Sequence, residues 1–206
     1  MCPAGGLVAM GSRCGVRQGG LKEMNDWDAV TTEGRMQVDL LYGDGTIPVS
    51  LEETWSPTLV RKHPSPVPSE PAAVVRDALQ QAVGCDSLDQ LARGARTACI
   101  AICDVTRPVP NHLFLAPMIR TLLKEGIAPE NITVVVATGL HRPNEGDELA
   151  ALVGDSWVLE TVPVVNHFAR ESEDHVDLGV TSGRGTPVRI DRRFVDGFMG
   201  VVTGIV

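Results

Sequence analysis

The stretch ACIAICDVTRP, residues 98–108, places six uncharged, mostly apolar residues directly before a turn that holds an acid, a hydroxyl and a base. A second stretch, ITVVVATGLHRP at residues 132–143, repeats the arrangement, with β-branched residues before a glycine and a histidine. Short unbroken apolar runs are typical of strands that are buried on both faces of a sheet. We therefore predict two strands of a parallel sheet, at 98–103 and 132–137.

Amphipathic helices alternate with these strands along the chain. The pattern predicts helices at 112–124 and 146–153, the first with Pro117 in its opening turn and Gly126 at its end. Such alternation indicates an α/β fold with a Rossmann-like, mostly parallel sheet and helices on both faces. The other elements predicted here are a helix that Ser69 caps and Gly84 ends, a short helix at 88–92, a weaker strand near 162–165 and a final strand at 198–202.

A β-hairpin is predicted to precede this α/β region. Val38, Leu40 and Tyr42 fall on one face of a period-two pattern. The turn Gly43-Asp44-Gly45 then leads into a second strand that contains Ile47.

The amino-terminal residues 1–35 are rich in glycine and show no sustained periodicity. We predict a disordered extension there, or a start codon upstream of the true start at Met24 or Met36. The predicted organisation is accordingly a disordered segment, 1–35, followed by one α/β domain, 36–206.

Composition and charge argue against several classes of protein. The chain of 206 residues has a net charge of −8 and no basic cluster, so nucleic acid is not an expected partner. No apolar run approaches the roughly 20 residues of a membrane helix. The five cysteines include no C-x-x-C motif, so neither a disulfide framework nor a zinc site is expected. These features favour a cytoplasmic protein.

Polar residues follow three of the predicted strands, and ligands of open parallel sheets bind outside the carboxyl ends of the strands. The first strand runs into Asp104 and Arg107, the second into Gly139 and His141, and the last into Thr203. Neighbouring strands lie about 4.8 Å apart, so side chains at adjacent ends can converge on one small ligand. The sequence therefore predicts a site at this edge of the sheet.

These residue types have chemical roles that fit such a site. The guanidinium of Arg107 can clamp a carboxylate or a phosphate. Histidine side chains titrate near neutrality, so His141 can accept a proton from a hydroxyl and return it. Asp104 can orient either of them, and Gly139 lets the backbone approach a ligand.

Structural roles for the same residues remain open. Asp104 can satisfy backbone donors of the loop or pair with Arg107 as a structural ion pair. His141 can be a solvated loop residue, and Gly139 can be a turn glycine. Each signal is weak alone, and only their joint position at strand ends makes the combination specific.

Two further histidines, His167 and His175, lie eight residues apart in a polar stretch with three acidic residues between them. A metal site is conceivable there, but the spacing matches no standard metal-binding signature. The pattern favours a solvated acidic loop, and we predict no metal ligand in this chain.

The two strand-end loops resemble those of the nickel-dependent lactate racemase family (LarA-like proteins). The resemblance covers roughly residues 38–206, and the D-x-T-R-P and G-L-H-R-P motifs are specific in this order and spacing. The matching motifs are Tyr42-Gly43-Asp44-Gly45, Asp104-Val105-Thr106-Arg107-Pro108, Gly139-Leu140-His141-Arg142-Pro143 and Val202-Thr203-Gly204.

The resemblance implies an isomerase that interconverts the enantiomers of a small 2-hydroxy acid such as lactate, with a nickel pincer nucleotide as cofactor. In such enzymes a histidine removes the hydroxyl proton while hydride passes from the substrate carbon to the cofactor. By motif matching, His141 is one of two acid/base histidines, and Arg107 holds the substrate or the cofactor. The residues assigned to the same pocket are Asp104, Thr106, Gly139, Arg142 and Thr203.

The resemblance also implies groups that this sequence does not contain. In the family, a second histidine, a lysine that bonds the cofactor covalently and a nickel-ligating histidine follow the Thr203-Gly204 pair. No lysine follows Lys124 here, and the sequence ends at Val206. We therefore expect no racemase activity from this chain alone, which is then a gene fragment, a frameshifted product or a part that works with the missing carboxyl-terminal half.

Two other functions remain open from the sequence. One is a non-catalytic Rossmann-like module that binds a nucleotide or a phosphate, and the other is a fragment with no function. A downstream coding segment with a histidine and a G-G-R-K-like stretch would favour the racemase.

Overall fold

A computed structural model describes residues 7–12, 30–32, 35–43, 45–56, 58 and 66–205. The chain divides into two compact units, one of Met1–Val16 with Pro68–Val206 and one of Arg17–Val67. The hairpin residues 35–52 belong to the smaller unit, and the alternating strands and helices from residue 71 onward belong to the larger one.

The strands and helices alternate over most of the larger unit. The strands are β1 (Leu7–Ser12), β2 (Val30–Thr32), β3 (Arg35–Tyr42), β4 (Gly45–Glu52), β5 (Ala98–Cys103), β6 (Ile132–Ala137), β7 (Val164–Asn166), β8 (His175–Val180), β9 (Pro187–Asp191) and β10 (Met199–Ile205). The helices are α1 (Pro71–Gln80), α2 (Leu88–Ala92), α3 (Asn111–Lys124), α4 (Gly146–Val153), α5 (Ser156–Thr161) and α6 (Arg192–Val195).

The larger unit is built on a parallel five-stranded sheet with the order β1-β10-β5-β6-β7. Cys103 of β5 is in register with Ala137 of β6, and Val136 with Asn166 of β7. The carboxyl ends of these strands therefore lie along one edge of the sheet. This arrangement confirms the predicted α/β fold and the two strands at 98–103 and 132–137.

The buried core lies on one face of this sheet, against α3. Ile100 and Ile102 of β5 belong to one cluster with Leu115, Met118 and Ile119 of α3. All five side chains are almost completely shielded from solvent, and each fully buried side chain of this size contributes about 1.5–3 kcal/mol. The run of apolar residues that predicted β5 is therefore explained by burial.

The short helix α6 lies on the other face of the sheet, against β5 and β10. The ring of Phe194 packs against Gly200 in β10, a position whose neighbours Met199 and Val201 point into the core on the opposite face. α6 also contacts β5 and the antiparallel hairpin formed by β8 and β9. Helices thus lie on both faces, as predicted.

Gly200 is expected to be intolerant of a larger side chain because Phe194 occupies the space. A Cβ atom at this position would lie 2.8 Å from Cζ of Phe194. We expect Gly200→Ala to lower the free energy of unfolding in urea by about 1–3 kcal/mol through overpacking. Gly183→Ala, at a site with no neighbouring atom, is the matched control and should change it by less than about 0.5 kcal/mol. Equal effects of the two variants would contradict this account of the second face.

Several local predictions differ from the structure. α3 begins at Asn111, so Pro117 lies inside the helix rather than in its opening turn. α1 begins at Pro71 with Glu70 at its N-cap and ends at Gln80, so Ser69 does not cap it and Gly84 does not end it. The weaker strand begins two residues later than predicted and ends one residue later, at Val164–Asn166. The unpredicted helix α5 begins where the Asp155 carboxylate accepts a hydrogen bond from the Trp157 amide.

The smaller unit contains an antiparallel sheet of β2, β3 and β4. Val38 pairs with Val49 and Leu40 with Ile47, so the predicted hairpin is confirmed. The turn residue Asp44 lies outside the described residues.

The amino-terminal 35 residues include two strands where no regular structure was expected. β1 pairs in parallel with β10, and β2 pairs with β3. Leu7-Val8-Ala9-Met10 is an apolar run short enough to be missed by periodicity, yet long enough to add a strand at a sheet edge. Apart from Arg35, which begins β3, the rest of 1–35 lies outside the described residues. Among the helices of the described ranges, none is long and apolar enough to cross a membrane.

Candidate acid/base site at the carboxyl edge of the sheet

The predicted site residues follow strands whose carboxyl ends share one edge. Asp104 comes directly after β5, Thr138 directly after β6 and His167 directly after β7. Thr203 does not follow a strand end as predicted, because β10 continues to Ile205 and Thr203 lies inside it, one residue beyond the Val202 that is in register with Ala101 of β5. Local sequence order thus places polar groups from three strands near one another.

Asp104 and His141 form the central contact of this edge. The carboxylate of Asp104 is 5% exposed and is hydrogen-bonded to Nδ1 of His141. Thr106 completes the set, because its hydroxyl donates to Asp104 Oδ1 over 2.6 Å and its amide over 3.2 Å. Burial acts to raise the pKa of Asp104, but the hydrogen bonds from Thr106 and His141 outweigh it and hold this pKa below its ordinary value.

The ionised state of Asp104 fixes how the His141 ring is protonated. An ionised carboxylate only accepts hydrogen bonds, so Nδ1 of His141 must carry the proton of this contact. Nε2 of a neutral ring then holds the free lone pair. The His141 side chain is 59% exposed, so the ring is accessible to a small molecule. A histidine held in this way by a carboxylate at Nδ1 has the arrangement that a general base requires.

The loop that carries His141 is a tight turn. Gly139 has a φ of +58°, a left-handed conformation that favours glycine, and the His141 amide donates to the Thr138 carbonyl over 2.9 Å. Gly139 therefore shapes the loop, and the turn-glycine interpretation explains its presence.

Arg107 lies in the loop after Asp104, whose carbonyl accepts a hydrogen bond from the Arg107 amide over 3.1 Å. The side chain is exposed, and the guanidinium forms no ion pair with any residue that the structure describes. The structural ion pair between Arg107 and Asp104 is thus not formed. An exposed guanidinium in the loop that follows Asp104, with no acidic partner among the described residues, is suited to bind an anion.

Arg142 and Thr203, which were assigned to the same pocket, are engaged elsewhere. Two nitrogens of Arg142 bond the Glu148 carboxylate of α4, at 2.6 and 2.7 Å. This contact with Arg142, helped by Asn144, lowers the pKa of Glu148 to about 2. Thr203 is buried, and its hydroxyl donates to the Ala101 carbonyl over 3.1 Å, so it bonds within the sheet.

A pair of asparagines, which was not predicted from the sequence, joins three strand ends. The Asn144 side chain accepts a hydrogen bond from the Val105 amide over 3.3 Å. Its backbone exchanges two bonds of 2.9 Å with the Asn166 side chain. Asn166 is the last residue of β7, so the strand-end rule could have identified it.

A second histidine–aspartate pair was also missed. His167 Nδ1 lies 2.8 Å from Asp191 Oδ2, and Arg193 bonds both oxygens of this carboxylate. Burial acts to raise the pKa of Asp191, but Arg193 and His167 outweigh it and lower this pKa to about 2. His167 is therefore a partnered residue at a strand end rather than part of a solvated loop.

His175 packs against His167, with the ring centroids 5.0 Å apart and edge to face. Within the described ranges, no three His, Cys, Asp or Glu side chains cluster closely enough to hold a metal ion.

The fold and the strand-end pair together define a parallel α/β domain with a histidine oriented for acid/base chemistry. Residues 42–206 match the family model described as the lactate racemase N-terminal domain, and the chain belongs to this family.

Two curated relatives and one solved structure are similar to the chain. The lactate racemase of Lactiplantibacillus plantarum is 34% identical over 106 residues, which are 51% of this chain and 24% of the relative. That of Thermoanaerobacterium thermosaccharolyticum is 30% identical over 133 residues, 65% of this chain and 30% of the relative. The structure of the lactate racemase apoprotein from the same organism matches 81% of this chain and 38% of its own, with a TM-score of 0.63 and 23% identity. The matched regions thus span 24–30% of the length of these curated relatives.

Proposed function

We propose that this domain supplies one acid/base half of the active site of a 2-hydroxy-acid racemase, with lactate or a close analogue as substrate. The observation that carries the proposal is the contact between Asp104 and His141 Nδ1, which leaves Nε2 of an exposed ring to accept a proton. Membership of the lactate racemase N-terminal domain family supports this choice of reaction.

In the proposed reaction, His141 accepts the hydroxyl proton of the substrate at Nε2 and later returns it. The imidazolium that forms is stabilised by the ionised carboxylate of Asp104, which stays close to Nδ1 throughout. Thr106 holds this carboxylate in place through its hydroxyl and amide. General acid/base groups of this kind contribute factors of about 10²–10⁴ to a rate.

Arg107 is proposed to bind the carboxylate of the substrate or a phosphate of the cofactor. Its guanidinium has no acidic partner among the described residues, and two parallel N–H donors match either anion. A carboxylate held at Arg107 would fix the orientation of the neighbouring hydroxyl relative to His141.

The residues of this edge fit the nickel pincer nucleotide in part. Arg107 is suited to a phosphate, whereas the described ranges hold no cluster of three metal-ligating side chains. When bound, the cofactor would take up and return the hydride of the substrate carbon.

We propose that turnover requires a second, carboxyl-terminal region as partner. One histidine can serve only one face of the substrate, and racemisation needs a proton acceptor on each face.

The thiols of Cys85, Cys99 and Cys103 are free, which supports a reducing compartment, and we propose the cytoplasm. Neither nucleic acid nor a membrane is a proposed partner.

The Arg107 assignment is tested by lactate racemisation in a protein in which a lactate racemase carboxyl-terminal region completes this domain. We expect Arg107→Ala to raise KM by about 10- to 100-fold, the loss expected for one charge-assisted hydrogen-bonded contact. Arg76→Ala, an exposed position on α1, is the control and should leave KM unchanged.

Other outcomes of this assay separate the competing functions. An unchanged KM for Arg107→Ala would remove Arg107 from the site. No racemisation, together with binding of inorganic phosphate that Arg107→Ala abolishes, would instead identify a phosphate-binding module. Turnover by the chain alone, supplied with cofactor, would contradict the proposed need for a partner region.

A further inference from the structure

Thr138 connects the loop of His141 to the neighbouring strand end. Its hydroxyl donates to the backbone carbonyl of His167, and its own carbonyl accepts the His141 amide over 2.9 Å. The side chain is 2% exposed, so neither bond competes with water. We propose that Thr138 and His167 are positioning residues that fix the His141 loop, an inference that rests on the proposed acid/base role of His141.

His167 is anchored at two points, which makes its carbonyl a fixed acceptor for Thr138. Its amide donates to the Val136 carbonyl over 2.9 Å, continuing the pairing of β6 with β7. Its ring nitrogen Nδ1 lies 2.8 Å from Asp191 Oδ2. Because both backbone and ring are held, the carbonyl of His167 cannot move away from Thr138 without breaking another bond.

Asp191 is in turn held by Arg193. Oδ1 accepts the Arg193 amide over 2.9 Å and Nε over 2.8 Å, while Oδ2 accepts Nη2 over 2.5 Å. With the His167 ring, four donors saturate one buried carboxylate. The same guanidinium reaches the Asn166 carbonyl over 3.4 Å, so the anchor extends to the end of β7.

This support matters because the His141 ring has few other restraints. More than half of its side chain is exposed, and Asp104 is its only hydrogen-bonding partner among the described residues. A displacement of about 1 Å between reacting groups can cost a factor of about 10² in rate. Asp104 restrains the His141 ring through Nδ1, and Thr138 restrains the backbone of the same loop. The position of Nε2 therefore depends on both contacts.

The proposal is tested by ¹⁵N NMR of the chain without substrate or cofactor, at about pH 8, where imidazole is neutral. In the wild type, the His141 nitrogen shifts should report the Nδ1–H tautomer, and the Nδ1 proton should exchange slowly. We expect Thr138→Val to speed this exchange by about tenfold, the factor for loss of one net hydrogen bond. Thr138→Ser keeps the hydroxyl and should restore the wild-type rate.

Thr121→Val is the matched control, because the Thr121 hydroxyl also donates to a carbonyl, that of Pro117 over 2.9 Å on α3. Equal exchange rates in Thr138→Val and the wild type would overturn the proposal, whatever the change in Tm. A similar acceleration in Thr121→Val would overturn it too, since the effect would then be global.

Should Thr138→Val fail to give a folded spectrum, Asp191→Asn decides the matter. It weakens the anchor of His167 and should speed His141 exchange by at least about threefold, whereas an unchanged rate would overturn the proposal. Because no substrate is involved, a failure of the racemase function would leave these rates as predicted. The two ideas can therefore fail separately.

Discussion

Replacing Asp104 with asparagine is expected to lower the turnover number for lactate racemisation by about 10³–10⁴-fold, with a much smaller change in KM. The isosteric amide keeps the shape of the site but can donate a hydrogen bond to Nδ1 of His141. The proton of the neutral ring then moves to Nε2, the position that must accept the substrate proton. The carboxylate that stabilises the imidazolium is lost as well.

The measurement is steady-state racemisation of both lactate enantiomers by the completed protein described above. Glu148→Gln is the control, since it converts another carboxylate near this edge to an amide; Glu148 bonds Arg142 and Asn144 rather than a histidine. Its turnover should stay within about threefold of the wild type. An Asp104→Asn enzyme with more than a tenth of wild-type turnover would show that the carboxylate does not orient the catalytic histidine.

The central contact of the site could be predicted because it depends on a simple rule. Two apolar runs defined β5 and β6, and adjacent parallel strands bring the residues after them to one edge. Asp104 and His141 are 37 positions apart, yet they meet because each closely follows its strand. No side-chain geometry was needed for that prediction.

The partners of individual side chains could not be predicted in the same way. Arg142 was assigned to the pocket through its motif. In the structure its guanidinium instead bonds the carboxylate of Glu148, six residues further on, at the surface. The sequence is compatible with Arg142 in the pocket and with Arg142 bonded to Glu148. Which of these forms depends on where α4 begins, since the start at Gly146 brings the Glu148 carboxylate to Arg142. Pro117 shows the same limit, because its position depends on where α3 begins.

The His167 cluster was missed because its partner is remote in sequence. Asp191 lies 24 residues away, at the end of a strand whose pairing with β8 was not predicted. Three acidic residues near His167 suggested a solvated loop, but none of them is its hydrogen-bonding partner. Contacts between polar residues that are far apart in the sequence cannot be predicted from local residue spacing.

Removal of the Asp191 carboxylate is expected to have the largest effect on stability among the changes considered. Asp191→Ala leaves Arg193 and the His167 ring without their acceptor in a region where the carboxylate is only 7% exposed. Breaking a fully buried pair typically costs about 3–5 kcal/mol, and because the Arg193 side chain is 33% exposed we expect a loss at the lower end of this range, about 3 kcal/mol. Urea unfolding at neutral pH should show this loss as a lower midpoint with an unchanged slope.

The stabilisation by Asp191 should also depend on pH with a defined sign. The pKa of Asp191 is lowered from 3.8 to about 2 in the folded chain, so this carboxyl group stabilises the fold above the higher value and loses that contribution as pH falls through the lower one. The stability difference between the wild type and Asp191→Ala should therefore be constant near neutrality and shrink between about pH 4 and pH 2.

Asp177→Ala removes an exposed carboxylate 3.7 Å from Arg189, and it should cost less than about 1 kcal/mol with little pH dependence. If the two variants cost the same, or if the Asp191→Ala difference persists unchanged at pH 2, the ionised Asp191 carboxylate does not hold this edge of the sheet together.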